Sequence, residues 1–330
     1  MAAMLERVAV RERFTFRELP LRRSFADDVR QGLSKPQKEL DPWFFYDALG
    51  SALFSAICEL PEYYITRAET EILQRDGSGM LQAMRYPERI IELGSGDARK
   101  TRLLLEAATT RNPQLTYLPV DVDRAVLESS ARNLLSSFPT LHIDAICADY
   151  RDIASLLTPS PHAAIFFLGS SIGNLDLQSG AAMLRDLRRI LAPGDSLLLG
   201  ADLQKPKAIV EAAYNDALGV TASFNLNLLA RINRELGGHF DLSAFEHRAF
   251  LNDRESRIEM HLVSRSRQSV RIDALEIEVR LERDETIHTE NSYKYRESDL
   301  RVLAREGGFE IEHMWTDSRS WFADLQLVAC

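Results

Sequence analysis

The stretch Ile90-Ile91-Glu92-Leu93-Gly94-Ser95-Gly96-Asp97 carries the sharpest chemical signal in this chain of 330 residues. A short apolar run that ends in Gly-x-Gly turns the backbone tightly and lets it approach a ligand closely. Asp121 follows Gly96 by 25 residues, at the end of the next apolar run. A carboxylate there is placed to accept both hydroxyls of a ribose. Asp149 ends a third such run and is suited to an adenine amino group, with Tyr150 beside the ring. A lone Gly-x-Gly is more plainly a strand-to-helix turn. An acid at the end of each of the next two runs favours a nucleoside site over that plainer reading.

Two nucleoside ligands compete for this pattern. A dinucleotide loop wants Gly-x-Gly-x-x-Gly, and the third position here is Arg99. S-adenosylmethionine has no pyrophosphate and needs no full phosphate cradle. It needs separate partners for its carboxylate and ammonium, and Lys100 is the candidate for the carboxylate. The pattern favours the methyl donor over NAD.

These residues need a parallel sheet to hold them. Strand-like runs at 89–93, 117–121, 143–147, 163–168 and 195–201 alternate with helical ones at 98–110, 125–137 and 178–191. That rhythm argues for βαβ units, and the wholly apolar run 163–168 for a central strand covered on both faces. After residue 204 the rhythm breaks. Helical stretches are expected at 206–217 and 222–235, with His247 in a further helical stretch, then strands at 257–266 and 269–284. A helix at 297–306 and strands at 309–315 and 325–330 close the chain. The expected class is α/β: a class I, Rossmann-like methyltransferase sheet, mostly parallel with an antiparallel C-terminal edge hairpin, plus a second α+β domain. The expected division assigns 67–204 and 295–330 to the cofactor domain, and 1–66 and 205–294 to a substrate domain.

Composition narrows the partners. The formal net charge is −9, with the arginines spread among acids, so a nucleic acid or other polyanion is not expected. No apolar run approaches the ~20 residues of a membrane span, and Met1 to Arg30 lacks the apolar core of a signal peptide. The three cysteines are widely spaced with no CxxC, as in a reduced cytoplasmic protein. The seven histidines show no metal-ligand spacing, so no metal is expected. A monomer is expected.

Longer segments make the chain recognisable. It carries Phe45-Tyr46-Asp47, Leu60-Pro61-Glu62-Tyr63-Tyr64 with Thr66-Arg67, and Glu92-Leu93-Gly94-Ser95-Gly96 with Lys100-Thr101. Phe167-Leu168-Gly169-Ser170, Ile172-Gly173-Asn174-Leu175 and Pro193-Gly194-Asp195-Ser196 follow. Gly219-Val220-Thr221-Ala222, Phe224-Asn225, Asn233-Arg234-Glu235-Leu236, Arg257-Ile258-Glu259-Met260 and Thr289-Glu290 with Ser292 come later. With these segments in order, the chain resembles the ergothioneine-biosynthetic histidine-specific N-alpha-methyltransferases nearly end to end.

The resemblance implies a Rossmann-like domain for S-adenosylmethionine and a second domain for histidine. Gly94, Lys100, Asp121, Asp149 and Tyr150 would hold the cofactor. Asn174 and Tyr214 would hold the substrate carboxylate, Glu290 and Ser292 the imidazole, and Tyr63 and Met260 would shape the ring pocket. Tyr46, Phe54 and the carbonyl of Gly169 would lie near the amine. Three successive transfers would give the trimethylammonium betaine hercynine, with S-adenosylhomocysteine as the other product. Two alternatives stand beside this: methylation of another aromatic amino acid such as tryptophan, and an NAD-dependent oxidoreductase.

Each residue also has a plainer reading. Asn174 suits a turn, Tyr46 and Tyr63 suit packing, and Met260 suits gap-filling. Glu290 and Ser292 suit a solvated strand edge, but their period of two lets both face one cavity. Asn291 between them should then point away. The attacking amine must lose a proton, and no histidine or carboxylate is an obvious base, so Tyr46 or water is the candidate relay. Tyr46 and Phe54 would receive the trimethylammonium by cation–π attraction.

Overall fold

Strand β3 (Arg89–Leu93) is buried along four of its five residues, because in this fold it lies at the centre of a parallel sheet. The structure is a computed structural model, and it describes residues 13–19 and 24–330. Before β3 come β1 (Phe14–Glu18) and the two-residue β2 (Lys38–Glu39). After it come β4 (Thr116–Asp121), β5 (His142–Cys147), β6 (Ala163–Phe167) and β7 (Ser196–Asp202). Then follow β8 (Phe245–Asn252), β9 (Arg257–Ser264), β10 (Gln268–Ile272), β11 (Ile277–Leu281) and β12 (Thr286–Tyr293). β13 (Phe309–Thr316) and β14 (Phe322–Ala329) end the chain.

The chain divides into two compact units. The first holds residues 13–19, Ile65–Leu203 and Tyr295–Cys330; the second holds 24–64 and Gln204–Lys294.

The first unit is built on an eight-stranded sheet of order β1-β5-β4-β3-β6-β7-β14-β13. Every pairing from β1 to β7 is parallel, and β14 and β13 are antiparallel. β6 and β7 are buried at every residue, which is why their sequences are apolar runs without alternation. Helices Arg99–Arg111, Arg124–Ser137 and Leu177–Arg188 supply the crossovers. Asp123 and Asp176 cap the second and third of these, accepting from Val126 N and Ser179 N. One placement differs from expectation. Residues 14–18, expected with the substrate domain, form the edge strand of this sheet, with Phe14 opposite Ile143 and Glu18 opposite Cys147.

The second unit contains a four-stranded sheet of order β2-β12-β9-β8 and the hairpin β10-β11. Three expectations are corrected here. The region around His247 is strand β8, not helix. The run 269–284 is a hairpin, turned by Asp273–Leu275 with Glu276 at φ 52, not one strand. The helix expected over 206–217 ends at Ala212.

A register shift in β12 sets the chemistry of this sheet. Between His288 and Glu290 the pairing with β9 slips by one residue, leaving Thr289 as a bulge. Glu290 then stands opposite Met260 and Ser292 opposite Ile258, so both share one face. Asn291 stands opposite Glu259, on the other face, as the period-two argument expects. Among the described residues no helix is long and apolar enough to cross a membrane.

Candidate active site

In the first unit the loop after β3 carries Gly94 at φ +67 and Gly96 at φ +50, both in the left-handed region that favours glycine. A Cβ at Gly96 would meet nothing within 4 Å, and one at Gly94 only the Tyr150 ring at 4.0 Å. Open space therefore lies beside the loop. Asp121 ends β4 and braces the loop, accepting from Gly96 N at 2.9 Å and from Asp123 N at 3.0 Å. Burial raises its carboxyl pKa, and these backbone bonds oppose the rise. Glu92, just before the loop, is buried and bonded by Thr101 and Tyr117; burial lifts its carboxyl to about 7.

Asp149 follows β5, as expected, but it is engaged by Arg151, whose Nη2 lies 2.6 Å from Oδ2. An adenine amino group would share that carboxylate with the guanidinium. Tyr150 packs its ring on Phe167 at 5.4 Å.

Lys100 and Gly169 are brought together by a residue that sequence reasoning missed. Glu69, fully buried on helix Tyr64–Ala83, accepts Lys100 Nζ at 2.5 Å on one oxygen and Gly169 N at 2.7 Å on the other. The signal was present as an acid among Ile65, Ala68, Ile72 and Leu73 on a buried helical face. Asp324 on β14 is also fully buried, with neither carboxylate oxygen hydrogen-bonded. Desolvation, and then the charge of Glu69, push its pKa well up. Asn174 closes the turn Ser171–Asn174 beyond the C-terminal end of β6, where parallel sheets bind ligands. It is half-buried.

In the second unit Glu290, Ser292, Tyr214 and Met260 gather on the β12–β9 sheet. Tyr214 Oη donates to Ser292 Oγ at 2.7 Å. The buried Lys294, which sequence reasoning also missed, donates to Ser292 Oγ at 2.8 Å and to Tyr214 Oη at 3.1 Å. Burial lifts the Glu290 carboxyl to about 7, and the Lys294 charge pulls it partly back. Glu290 is half-buried, and among the described residues no hydrogen bond is made to its carboxylate.

Aromatic rings form the rest. Phe54 lies 5.6 Å from Tyr46 and 6.2 Å from Tyr63, both edge-on, and Tyr63 lies 6.3 Å from Tyr214. Phe224 joins them, 6.0 Å from both Tyr46 and Phe54. It stood in a recognised segment, but nothing in its helical neighbourhood marked it as a site residue. Tyr46 is positioned by Asp47, which caps helix Ala48–Glu59 through Gly50 N and is held by Asn227 and Arg234. Burial pushes the Asp47 pKa up, but these bonds together hold it below its ordinary value.

The sequence profile of the family described as "Histidine-specific methyltransferase, SAM-dependent" matches residues 25–329. The chain belongs to that family. It is 44% identical over 290 residues to "Histidine N-alpha-methyltransferase" of Mycolicibacterium smegmatis, covering 88% of this chain and 90% of that one. The protein of the same name from Mycobacterium tuberculosis is 42% identical, with 92% and 94% covered. "Ergothioneine biosynthesis protein 1" of Schizosaccharomyces pombe is 26% identical, with 86% of this chain and 38% of that one covered.

This histidine-specific methyltransferase family member is therefore an S-adenosylmethionine-dependent enzyme, and the dinucleotide alternative is set aside. Its residues fit the donor: an open glycine loop, and carboxylates following β4 and β5. The same fold creates a grouping that spacing in the sequence did not reveal. Glu259, His261 and His288 place ligand-type atoms within 4.8 Å of one another. They lie on the face of β9 and β12 opposite Glu290. Glu259 is already held by Arg257 at 2.7 Å and by Asn252 at 2.9 Å, which opposes a cation there.

Proposed function

We propose that the enzyme methylates the α-amine of L-histidine three times, giving hercynine for ergothioneine biosynthesis. The observation that carries this reading is the half-buried Glu290 carboxylate, to which no described residue donates, on the same side of β12 as Ser292 and across from Met260. A heterocycle with one N–H and one lone pair satisfies Glu290 and Ser292 together. The names of the mycobacterial relatives support the same substrate.

On this reading residues 24–64 and Gln204–Lys294 form the substrate-binding domain, and the eight-stranded unit binds the donor. The donor supplies an electrophilic methyl carbon on a sulfonium. Gly94, Asp121, Asp149 and Tyr150 take its nucleoside and Lys100 its carboxylate. Asn174 and Tyr214 receive the substrate carboxylate. Glu290 and Ser292 grip the imidazole, with Tyr63 and Met260 shaping its pocket. The Gly169 carbonyl accepts an amine N–H and directs the lone pair, and Tyr46 relays the departing proton. Holding the two reacting atoms on one line is the main contribution to rate. The rings of Tyr46, Phe54 and Phe224 suit the growing methylammonium, which loses hydrogen-bond donors with each transfer but keeps its attraction to ring faces.

A cytoplasmic monomer without a nucleic-acid partner completes the proposal. The net charge of −9 and three cysteines outside any disulfide support it. The test is mass spectrometry of the purified enzyme with the methyl donor and all twenty amino acids. Mass increments of one to three methyls on histidine are expected. Methylation of tryptophan with histidine untouched would overturn the substrate assignment.

A further inference from the structure

Lys294 is a buried ammonium whose charge acts on Glu290 and whose head touches Ser292. An ammonium only donates hydrogen bonds, whereas a hydroxyl donates one and accepts up to two. Ser292 Oγ receives both of its incoming bonds here, from Lys294 Nζ at 2.8 Å and from Tyr214 Oη at 2.7 Å. Its own proton is therefore left for a ligand. Lys294 Nζ also donates to Tyr214 Oη at 3.1 Å; when a substrate carboxylate draws the Tyr214 proton away from Ser292, the ammonium still occupies a lone pair of Ser292 Oγ and leaves the serine proton for the ring. Ser292 and Lys294 are 5% and 3% exposed, so water does not scramble these directions.

We propose that Lys294 is a positioning residue that makes the site select a neutral imidazole of one tautomer. This rests on the histidine reading. With Lys294 in place, Ser292 is a committed donor and needs a nitrogen lone pair. The same positive charge favours Glu290 as a carboxylate, a committed acceptor that needs an N–H. An imidazolium offers two N–H groups, so one would face the Ser292 proton, and it would add a second cation beside Lys294. The neutral ring with one protonated nitrogen satisfies both partners. Indole offers an N–H but no lone pair, leaving the Ser292 proton unmatched.

Two variants separate charge from hydrogen bonding. Lys294→Gln keeps a donor and loses the charge; Lys294→Met loses both. The acid limb of kcat/KM for histidine reports free-enzyme ionisations. In Lys294→Gln that limb should move upward by about one pH unit, because Glu290 loses the charge that favours its ionised form. Lys294→Met should in addition raise KM about tenfold or more with kcat changed less than about threefold, since a partly satisfied buried network weakens binding of the ring. Unchanged donor affinity would confirm that the variants are folded. A limb at the wild-type pH in Lys294→Gln overturns the proposal.

A second measurement needs no variant. Nitrogen NMR of labelled histidine bound to the unsubstituted enzyme at pH 7.5 should show one protonated and one bare ring nitrogen. Two protonated nitrogens would overturn the proposal and leave histidine as the substrate. Absence of any histidine binding would instead overturn the substrate reading, and this inference with it.

Discussion

Lys100 Nζ lies 2.9 Å from where a Cβ on Gly169 would stand, so a side chain there has to displace the ammonium. The glycine is also at φ +76, and its N–H is fixed by Glu69, the same carboxylate that holds Lys100. Two parts of the proposed chemistry, the donor anchor and the amine-facing carbonyl, thus share one buried acid.

Gly169→Ala should act on both. The left-handed backbone costs an alanine about 1–2 kcal/mol, and the new methyl must push the Lys100 head aside. Donor affinity should fall about tenfold, and the melting temperature by a few degrees. Titration calorimetry and a thermal melt check this. Wild-type donor affinity would show that Lys100 does not depend on this contact.

Lys100→Met should destabilise the fold beyond the loss of a donor contact. It leaves the fully buried Glu69 carboxylate without its cation, a defect of about 3 kcal/mol or more for a fully buried pair. The Lys100 side chain is 24% exposed, so solvent screening brings the expected loss to about 2 kcal/mol. Adding Glu69→Gln should restore at least half, because a neutral amide oxygen still accepts Gly169 N–H. Urea unfolding of the two single variants and the double variant measures this coupling.

Asp324 offers a pH test. Its pKa is raised in the folded protein by desolvation and then by Glu69, so the unfolded chain ionises it at lower pH than the folded one. The folded state therefore carries a penalty that is absent near pH 3 and grows as pH rises past the ordinary carboxylate value. Asp324→Asn removes that growth. The stability of the variant relative to wild type should increase from pH 4 to pH 7.5, whatever constant offset the amide introduces. A difference flat in pH would mean that Asp324 ionises normally.

How much of this was legible in the sequence follows from burial. Parallel strands such as β6 and β7 are covered on both faces, so their apolar runs declare them without alternation. The acids Asp121 and Asp149 were visible because their strands end at them. β1 was misassigned because its partner, β5, lies more than a hundred residues away and local pattern carries no register. The β10–β11 hairpin read as one strand because Asp273-Ala274-Leu275-Glu276 turns the chain without the Gly, Pro or Asn that marks most turns. Glu69 and Lys294 escaped for one reason: charged residues are assigned to solvent by default, and only the fold shows them buried and paired.

Phe224 tests the number of methyl groups. It closes the ring cluster against Tyr46 and Phe54 from a different element, helix Val220–Leu236. Cation–π attraction grows in importance as N–H donors are replaced by methyls, and a desolvated contact contributes about 2 kcal/mol. Phe224→Leu keeps the volume roughly constant and removes the face. Mono- and dimethylhistidine should accumulate in single-turnover and steady-state product profiles, with the first transfer slowed less than the last. An unchanged ratio of products would remove Phe224 from the amine side of the site.

Glu290→Gln separates recognition from stability. The Glu290 carboxyl is lifted to about 7 by burial, against the opposing charge of Lys294. As pH falls through 7 the wild-type group takes a proton and changes from a charged acceptor to a weaker neutral one, so histidine affinity should decline there; in the variant this ionisation is gone. The variant should bind histidine about 10- to 100-fold more weakly at pH 8, the range for losing a hydrogen bond to a charged group of about 1.5–3 kcal/mol. Its relative use of aromatic amino acids without a ring lone pair should rise. Stability should move the other way. A carboxyl whose folded pKa exceeds its unfolded one costs the fold nothing below about 4.5, and the cost is complete above about 7. Glu290→Gln should therefore melt higher than wild type at pH 8 and alike at pH 4.5. Weaker binding paired with a lower melting point at pH 8 would mean that Glu290 serves as a structural anion rather than a carboxylate held in reserve for the ring.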